Sequence, residues 1–183
     1  MARRDCGCDD DYFQRSRRRN GSRTGATVDP KENLYKSTLM KHYRAMDYRR
    51  VLAEPYIESQ QVNRSCGDRI KLQFKIDADW RVLDAAYQGE GCSICIASAA
   101  MLCDSIRGLT MQEGTILALS VIGMLESQDE TIASQHFQEI AEKLGTSEPD
   151  ILSLWSVRAF GARIPCALLS WNIIPTLLEK PGS

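Results

Sequence analysis

Histidine is scarce in this 183-residue chain, which also has little net charge and no long apolar run. Because the chain has only two histidines, His42 and His136, hydrolysis and other chemistry built on histidine acid–base catalysis are disfavoured. A net charge of −1 offers no strong field to nucleic acid, so we expect no nucleic-acid partner. The longest apolar stretch, TILALSVIGML at 115–125, is too short to cross a bilayer, so we expect no membrane partner.

The first residues, MARRDCGCDDDYF, lack the apolar core that a secretory signal needs, so we expect a cytoplasmic protein. The chain nevertheless has seven cysteines, an odd number. In a reducing compartment such residues are more often metal ligands or reactive thiols than disulfides. The length suits one domain with a hydrophobic core plus appendages.

Residues 1–29 differ in composition from the rest of the chain. They contain seven arginines and five aspartates but few large apolar residues, so they could bury little surface. We therefore expect a disordered N-terminal tail over 1–29, with Cys6 and Cys8 as incidental thiols, and a single folded domain over 30–183.

The residues after the tail predict an α+β fold. Pro30 suits the first position of an amphipathic helix. Apolar and charged residues alternate over 68–77, which predicts a strand that pairs with 80–91 through a short turn at 77–79. Helical periodicity then predicts helices at 93–107, 112–126, 131–144, 149–160 and 165–179. We expect a small antiparallel sheet packed against several helices.

Three of the cysteines fall in one glycine-bracketed stretch, GEGCSICIASAAMLCDSIRG at 89–108. Cys92 and Cys95 form a C-x-x-C that fits a redox motif, half of a metal site, or a small-residue helix that carries thiols. Cys92 should lie at a helix N-terminus, and Cys166 should too because it follows Pro165. Helix N-termini favour thiolate, so we expect a lowered pKa for both Cys92 and Cys166.

The predicted hairpin brings two distant cysteines together. Cys66 precedes its first strand and Cys92 follows its second, and paired antiparallel strands return the chain to its starting end. Asp68 can reach the same point as Cys66 around the bend at Gly67. The hairpin does not bring in Cys166, so spacing alone indicates a metal site only weakly.

Three ordered segments of this chain resemble the U-type scaffold family of iron–sulfur cluster assembly, which includes IscU, SufU and the N-terminal part of NifU. The segments are NRSCGDRIKLQFKID (63–77), AAYQGEGCSICIASAAMLCDSIRG (85–108) and RIPCALLSWN (163–172). The resemblance covers about residues 32–180 and implies the fold of that family, which is SufE/IscU-like. Pro165 before the last cysteine and the long stretch from Cys92 to Cys166 resemble the SufU branch. Arg64 departs from the proline usual in the family.

The resemblance implies a set of site residues. By it, Cys66, Asp68, Cys92 and Cys166 would hold one zinc ion, and three thiolates with one carboxylate suit a tetrahedral zinc site. Four anionic ligands around a dication favour a nearby cation. Arg163 matches the arginine of the family and would act beside Cys66 in catalysis.

The resemblance also implies the function, a zinc-dependent sulfurtransferase that works with a PLP-dependent, SufS-like cysteine desulfurase. Cys66 would accept the persulfide sulfur and pass it to downstream iron–sulfur assembly proteins. One alternative is a scaffold that carries a transient [2Fe–2S] cluster or iron. Another is a thiol–disulfide oxidoreductase that uses Cys92 and Cys95, although we expect Cys95 and Cys103 to be packed as small apolar residues.

Overall fold

A computed structural model of the chain describes residues 30–146 and 148–178. The elements, in chain order, are α1 (Pro30–Arg44), β1 (Ile57–Val62), β2 (Arg69–Ile76), β3 (Val82–Glu90), α2 (Ser93–Ile106), α3 (Met111–Glu126), α4 (Glu130–Leu144), α5 (Glu148–Leu152), a 3₁₀ segment (Ser153–Arg163), α6 (Ile164–Leu168) and α7 (Ile173–Leu178). The α+β prediction is confirmed. The predicted tail, with Cys6 and Cys8, lies outside the described residues.

The sheet is antiparallel, with strand order β1-β2-β3. The predicted hairpin is present as β2 and β3, and the amide of Trp80 closes its turn by donating to the carbonyl of Asp77 at 3.1 Å. The sequence prediction missed β1. Its residues, IESQQV, are mostly polar, and the strand is only half-buried on alternate residues, so the apolar alternation that marked β2 is weak there.

Helix α2 lies on the inner face of this sheet and is buried along most of its length. Small side chains such as Ala97 and Ala99 let the helix approach the sheet, where it joins the cluster of apolar side chains around Ile70, Leu72 and Phe74. Cys95 and Cys103 belong to this core, as predicted, and are 1% and 0% exposed. The helix that begins beside Cys92 is therefore fixed along its length by the core.

The late helices are more broken than the sequence predicted. In place of a helix over 149–160, α5 gives way to the 3₁₀ segment, which is kinked at Phe160 (φ −123°, ψ 66°) next to Gly161. The predicted helix 165–179 divides into α6 and α7. Pro175 lies in the first turn of α7, where its missing N–H is tolerated; inside a continuous helix its ring would clash with the preceding turn.

By length and composition alone, the helical run Asp150–Leu177 could cross a membrane, with a mean hydropathy of 1.2. The run is not one straight helix, because the 3₁₀ segment, the kink at Phe160 and the turn before α7 interrupt it. Its apolar residues include Leu154 and Trp171, which are buried in the protein core. The run is therefore a series of short helical segments, part of which packs in the core.

His42 connects α1 to the late helices. The side chain is 6% exposed, and its Nε2 lies 2.7 Å from Oδ2 of Asp150. Lys41 contacts the same carboxylate at 3.2 Å. These contacts join the first helix to α5.

Candidate metal centre

The loop between β1 and β2 has its own hydrogen bonds. The amide of Asn63 donates to the carbonyl of Asp68, and the amide of Gly67 donates to the carbonyl of Asn63, both at 2.8 Å. Gly67 has φ +82°, a left-handed conformation that glycine adopts without a steric penalty. The loop turns Cys66 and Asp68 toward the same point, as the sequence predicted.

Three side chains converge at this point. The ligand atoms of Cys66, Asp68 and Cys166 all lie within 4.8 Å of one another. The Sγ atoms of Cys66 and Cys166 are 3.5 Å apart. Cys166 belongs to α6, so one candidate ligand comes from the late helices, whose position the predicted hairpin does not determine.

Cys92 adjoins this group from the first turn of α2. It is the N-cap residue of that helix, and its backbone amide donates to Oδ1 of Asp68 at 3.2 Å. Its thiol interacts with Cys166 through a hydrogen bond. The structure thus brings together Cys66, Asp68 and Cys166 of the four residues implied by the resemblance, and Cys92 adjoins this group without belonging to it.

A buried hydrogen-bond network holds α6 against α2. The hydroxyl of Ser98 donates to the carbonyl of Ala167 at 2.6 Å, and the indole N–H of Trp171 donates to that hydroxyl at 2.8 Å.

Asn63 contacts the site from the loop before β2. Its side-chain amide lies 3.7 Å from Sγ of Cys166. Sequence reasoning missed the role of Asn63, although the residue opens the NRSCGD motif three positions before Cys66.

The thiols perturb one another. The hydrogen bond with Cys166 lowers the pKa of Cys92 to about 7, although burial opposes the shift. The same hydrogen bond raises the pKa of Cys166, and burial and Asp68 raise it further. The prediction that a helix start would lower the pKa of Cys166 is therefore wrong, because the hydrogen bond with Cys92, burial and Asp68 all raise it. Burial is also the largest cause of the raised pKa of Cys66.

The donors present fit a zinc ion. Asp68 is 3% exposed, and its Oδ2 receives no hydrogen bond of ordinary geometry from the described residues. A buried carboxylate oxygen without a partner is costly, and a cation between Asp68 and the thiols would satisfy it. Thiolate sulfur and carboxylate oxygen are both common zinc ligands.

A cavity of about 670 Å³ opens beside the cluster and is lined by Cys66, Arg163 and Pro165, among others. Phe160 also lines it and is 43% exposed. Cys66 and Arg163, predicted to act together, thus face the same space. Sequence reasoning missed Phe160, which carried no signal beyond the neighbouring glycine.

Cys95 lies next to the site without facing this cavity. A Cβ atom added to Gly91 would lie 3.1 Å from Sγ of Cys95 and 3.1 Å from Cγ of Asp68. Burial is the largest cause of a raised pKa for Cys95, and Asp68 adds to it. Gly91 therefore keeps open the space in which Asp68 and Cys95 meet.

The sequence model of the NifU-like N-terminal domain family matches residues 34–144, which include Cys66, Asp68 and Cys92. The zinc-dependent sulfurtransferase SufU of Bacillus subtilis (strain 168) is 36% identical over 149 residues, which is 81% of this chain and 92% of that protein. The iron–sulfur cluster assembly scaffold protein IscU of Streptococcus pyogenes serotype M1 is 31% identical over 128 residues, covering 69% of this chain and 72% of that protein.

Solved structures show the same fold. FiSufU from Fervidobacterium islandicum AW-1 superposes with a TM-score of 0.63 at 22% identity, covering 79% of this chain and 96% of that one. The N-terminal part of a NifU-like protein from Brucella abortus gives a TM-score of 0.62 at 18% identity, covering 81% of this chain and 94% of that one. The match over residues 34–144 and the 36% identity to SufU establish that this chain belongs to the NifU-like N-terminal domain family.

Proposed function

We propose that this protein is a zinc-dependent sulfur carrier that takes persulfide sulfur from a PLP-dependent, SufS-like cysteine desulfurase. It passes that sulfur to downstream iron–sulfur assembly proteins. The residues that would hold zinc are Cys66, Asp68, Cys92 and Cys166. The converging donors, the unsatisfied oxygen of Asp68 and the likeness to a relative named a zinc-dependent sulfurtransferase support this proposal.

Bound zinc would supply a positive charge that keeps thiols deprotonated at neutral pH. The residues themselves supply the rest of the site. The amide of Cys92 holds Asp68 at 3.2 Å, and Asn63 approaches Cys166 at 3.7 Å, so backbone and side-chain donors orient the ligands. The hydrogen bond between Cys92 and Cys166 lowers the pKa of Cys92 and raises that of Cys166, so the ionisation of each thiol depends on the other.

Cys66 is the acceptor in this proposal, and its exposure carries the argument. Cys66 is half-buried and lines the 670 Å³ cavity, whereas Cys92 and Cys166 are 6% and 1% exposed. A persulfide on another protein can reach a sulfur that faces a cavity, but not one enclosed by the core. Of the three site thiols, Cys66 is therefore the one placed for exchange.

The chemical step is thiol–persulfide exchange. The Cys66 thiolate attacks the outer sulfur of the donor persulfide, the donor S–S bond breaks, and the donor cysteine leaves as a thiolate. A new S–S bond forms on Cys66, and the pair undergoes no net oxidation. Arg163 lines the same cavity, where its positive charge would favour the approach of an anionic persulfide.

A cluster scaffold is the second candidate, because the same four donors could carry a [2Fe–2S] cluster or iron as cargo, and the IscU relative is named a scaffold. A thiol–disulfide oxidoreductase is less well supported. Its nucleophile would be Cys92, which is buried and engaged with Cys166, so a substrate disulfide could not reach it.

A cytoplasmic location is part of the proposal, because all five described cysteines are outside disulfides.

The deciding experiment measures alanine production by a SufS-like desulfurase with cysteine and a thiol reductant. Wild-type protein should accelerate turnover, and Cys66→Ser should abolish the acceleration. Cys103→Ala is the matched control, because it removes a thiol that is far from the cavity and 0% exposed, and it should stimulate normally once circular dichroism confirms its fold. Stimulation by Cys66→Ser at the wild-type level would exclude Cys66 as the acceptor, and [2Fe–2S] absorption without any stimulation would favour the scaffold.

A further inference from the structure

A second cavity, of about 590 Å³, reaches the same loop at Gly67. Its lining includes three arginines, Arg49, Arg50 and Arg69, together with Tyr87. Neither the desulfurase reaction nor the metal centre uses these four residues. A volume of several hundred cubic ångströms suits a small-molecule ligand.

The three arginines differ in how far their donors are already used. Nη2 of Arg50 lies 2.8 and 2.9 Å from the two carboxylate oxygens of Asp84, and its Nε donates to a backbone carbonyl. The guanidinium of Arg49 makes one hydrogen bond, from Nη2 to the carbonyl of Gly89 at 3.2 Å. The guanidinium of Arg69 makes no hydrogen bond or ion pair with the side chains and backbone that the structure describes, although its backbone pairs within the sheet. Arg49 and Arg69 therefore keep guanidinium donors for a ligand.

Tyr87 contributes to the wall of this cavity but not a donor. The residue is 0% exposed, and its hydroxyl is buried without a hydrogen-bond partner in the described part of the chain. Burial raises the pKa of Tyr87 to about 12, so the group is a neutral O–H. A ligand in the cavity cannot reach an atom that water cannot reach, so the donors available to it are those of the arginines.

We propose that this cavity binds a small organic or inorganic oxyanion, a carboxylate or a phosphate, between Arg49 and Arg69. Guanidinium groups match the planar oxygens of a carboxylate or the face of a phosphate, and charge-assisted hydrogen bonds to them are strong. Glu90 is the one carboxylate among the residues that line the cavity, so the lining keeps a positive balance.

The position of this cavity links it to the site loop. Gly67 lines the cavity and separates Cys66 from Asp68 in the chain, so a bound oxyanion would lie against the backbone that joins them. The proposal does not depend on sulfur transfer, because binding can be measured without a desulfurase. If sulfur transfer proved absent, the oxyanion site could still be present.

The test is isothermal titration of the full-length protein with inorganic phosphate and, separately, with succinate, against sodium chloride of equal ionic strength. The two titrations distinguish a phosphate site from a carboxylate site. We expect saturable binding of at least one of them, and Arg49→Gln and Arg69→Gln should each weaken it about tenfold. Arg64→Gln is the matched control, because Arg64 is exposed on the same loop but does not line this cavity, and it should bind as wild type does.

Tyr87→Phe provides a second control, because it removes a buried hydroxyl that is closed off from the cavity. It should bind both probes as wild type does, and zinc content should stay unchanged in every variant. Two results would overturn the proposal. One is the absence of saturable binding to both probes at millimolar concentration, and the other is wild-type affinity in both Arg49→Gln and Arg69→Gln.

Discussion

The sulfur atoms of Cys66 and Cys166 lie 3.5 Å apart, although one hundred residues separate them in the chain. Cys66 is held by the loop before β2, and Cys166 by α6. The contact therefore joins the start of the hairpin to the late helices. A substitution that displaces α6 should therefore disturb the metal centre, even when the substituted residue is not a ligand.

Zinc content tests the proposed ligands directly. We expect about one zinc per wild-type chain and almost none in the Cys66→Ser, Cys92→Ser, Cys166→Ser triple variant, because serine oxygen is a poor substitute for thiolate. Elemental analysis of protein purified without oxygen measures this, and circular dichroism reports whether loss of metal also lowers stability. Full zinc retention in the triple variant would show that the metal binds elsewhere.

Gly91→Ala should disturb the site without removing a ligand. The added Cβ would lie 3.1 Å from Cγ of Asp68 and 3.1 Å from Sγ of Cys95, closer than ordinary van der Waals contact. We expect a loss of about 1–3 kcal/mol in the free energy of unfolding and a lower zinc content. Gly123→Ala is the matched control, because nothing lies within 4 Å of its added Cβ. It replaces a helical glycine and should stabilise the protein by about 0.5–1 kcal/mol.

Ser98→Ala should loosen α6. It leaves the indole N–H of Trp171 buried without its acceptor and removes the bond to the carbonyl of Ala167, which should cost about 1–3 kcal/mol in the free energy of unfolding. Urea titration measures this, and a faster release of zinc to a chelator should accompany it. Ser134→Ala, in α4, removes a half-buried hydroxyl that donates only to the carbonyl of Thr131 one turn earlier, and it should change stability by about 0.5 kcal/mol or less. Equal stabilities for the two variants would contradict the role of the network.

Asp150 should give stability an acid dependence. Burial raises the pKa of Asp150, but hydrogen bonds from His42 and Lys41 outweigh it, and the pKa is lowered overall. A lowered pKa means that the contribution to stability is complete above the ordinary value of about 4 and is lost as pH falls through the lowered value. Asp150→Asn should therefore destabilise the protein near pH 7 and flatten its stability curve below pH 4.

The Asp150 comparison needs chemical denaturation at several pH values. The effect should stay near or below about 1 kcal/mol, because the carboxylate is partly exposed and solvent screens it. Asp79→Asn, at an exposed position in the hairpin turn, should leave the acid limb as in wild type. Parallel curves for wild type and Asp150→Asn would contradict the assigned contact with His42.

Features that depend on residues close together in the chain could be predicted from the sequence, and features that depend on distant contacts could not. The hairpin was predictable, because Ile70, Leu72 and Phe74 alternate with polar residues and all face the core. β1 was not, because its polar residues are held as a strand by pairing with β2 and not by an apolar pattern of their own. The breaks around Phe160 and Pro175 likewise interrupt helical periodicity that is otherwise continuous.

The same limit applies to the site. Hairpin geometry brought Cys66, Asp68 and Cys92 together, but Cys166 required the resemblance, because packing of α6 on α2 cannot be inferred from spacing. The pKa values of the thiols were also only partly predictable. A helix start favoured a lowered pKa for both Cys92 and Cys166, but the direct contact between their thiols gives the two residues opposite shifts.

The loop that carries Cys66 closes through Asn63, whose amide, carbonyl and side-chain oxygen all take part. None of these three bonds involves the sulfur of Cys66. A change in what that sulfur carries therefore leaves the bonds that shape the loop in place. The loop backbone should therefore be the same in the empty and the sulfur-laden protein, so a partner protein would recognise the load through the sulfur of Cys66 and the groups that touch it.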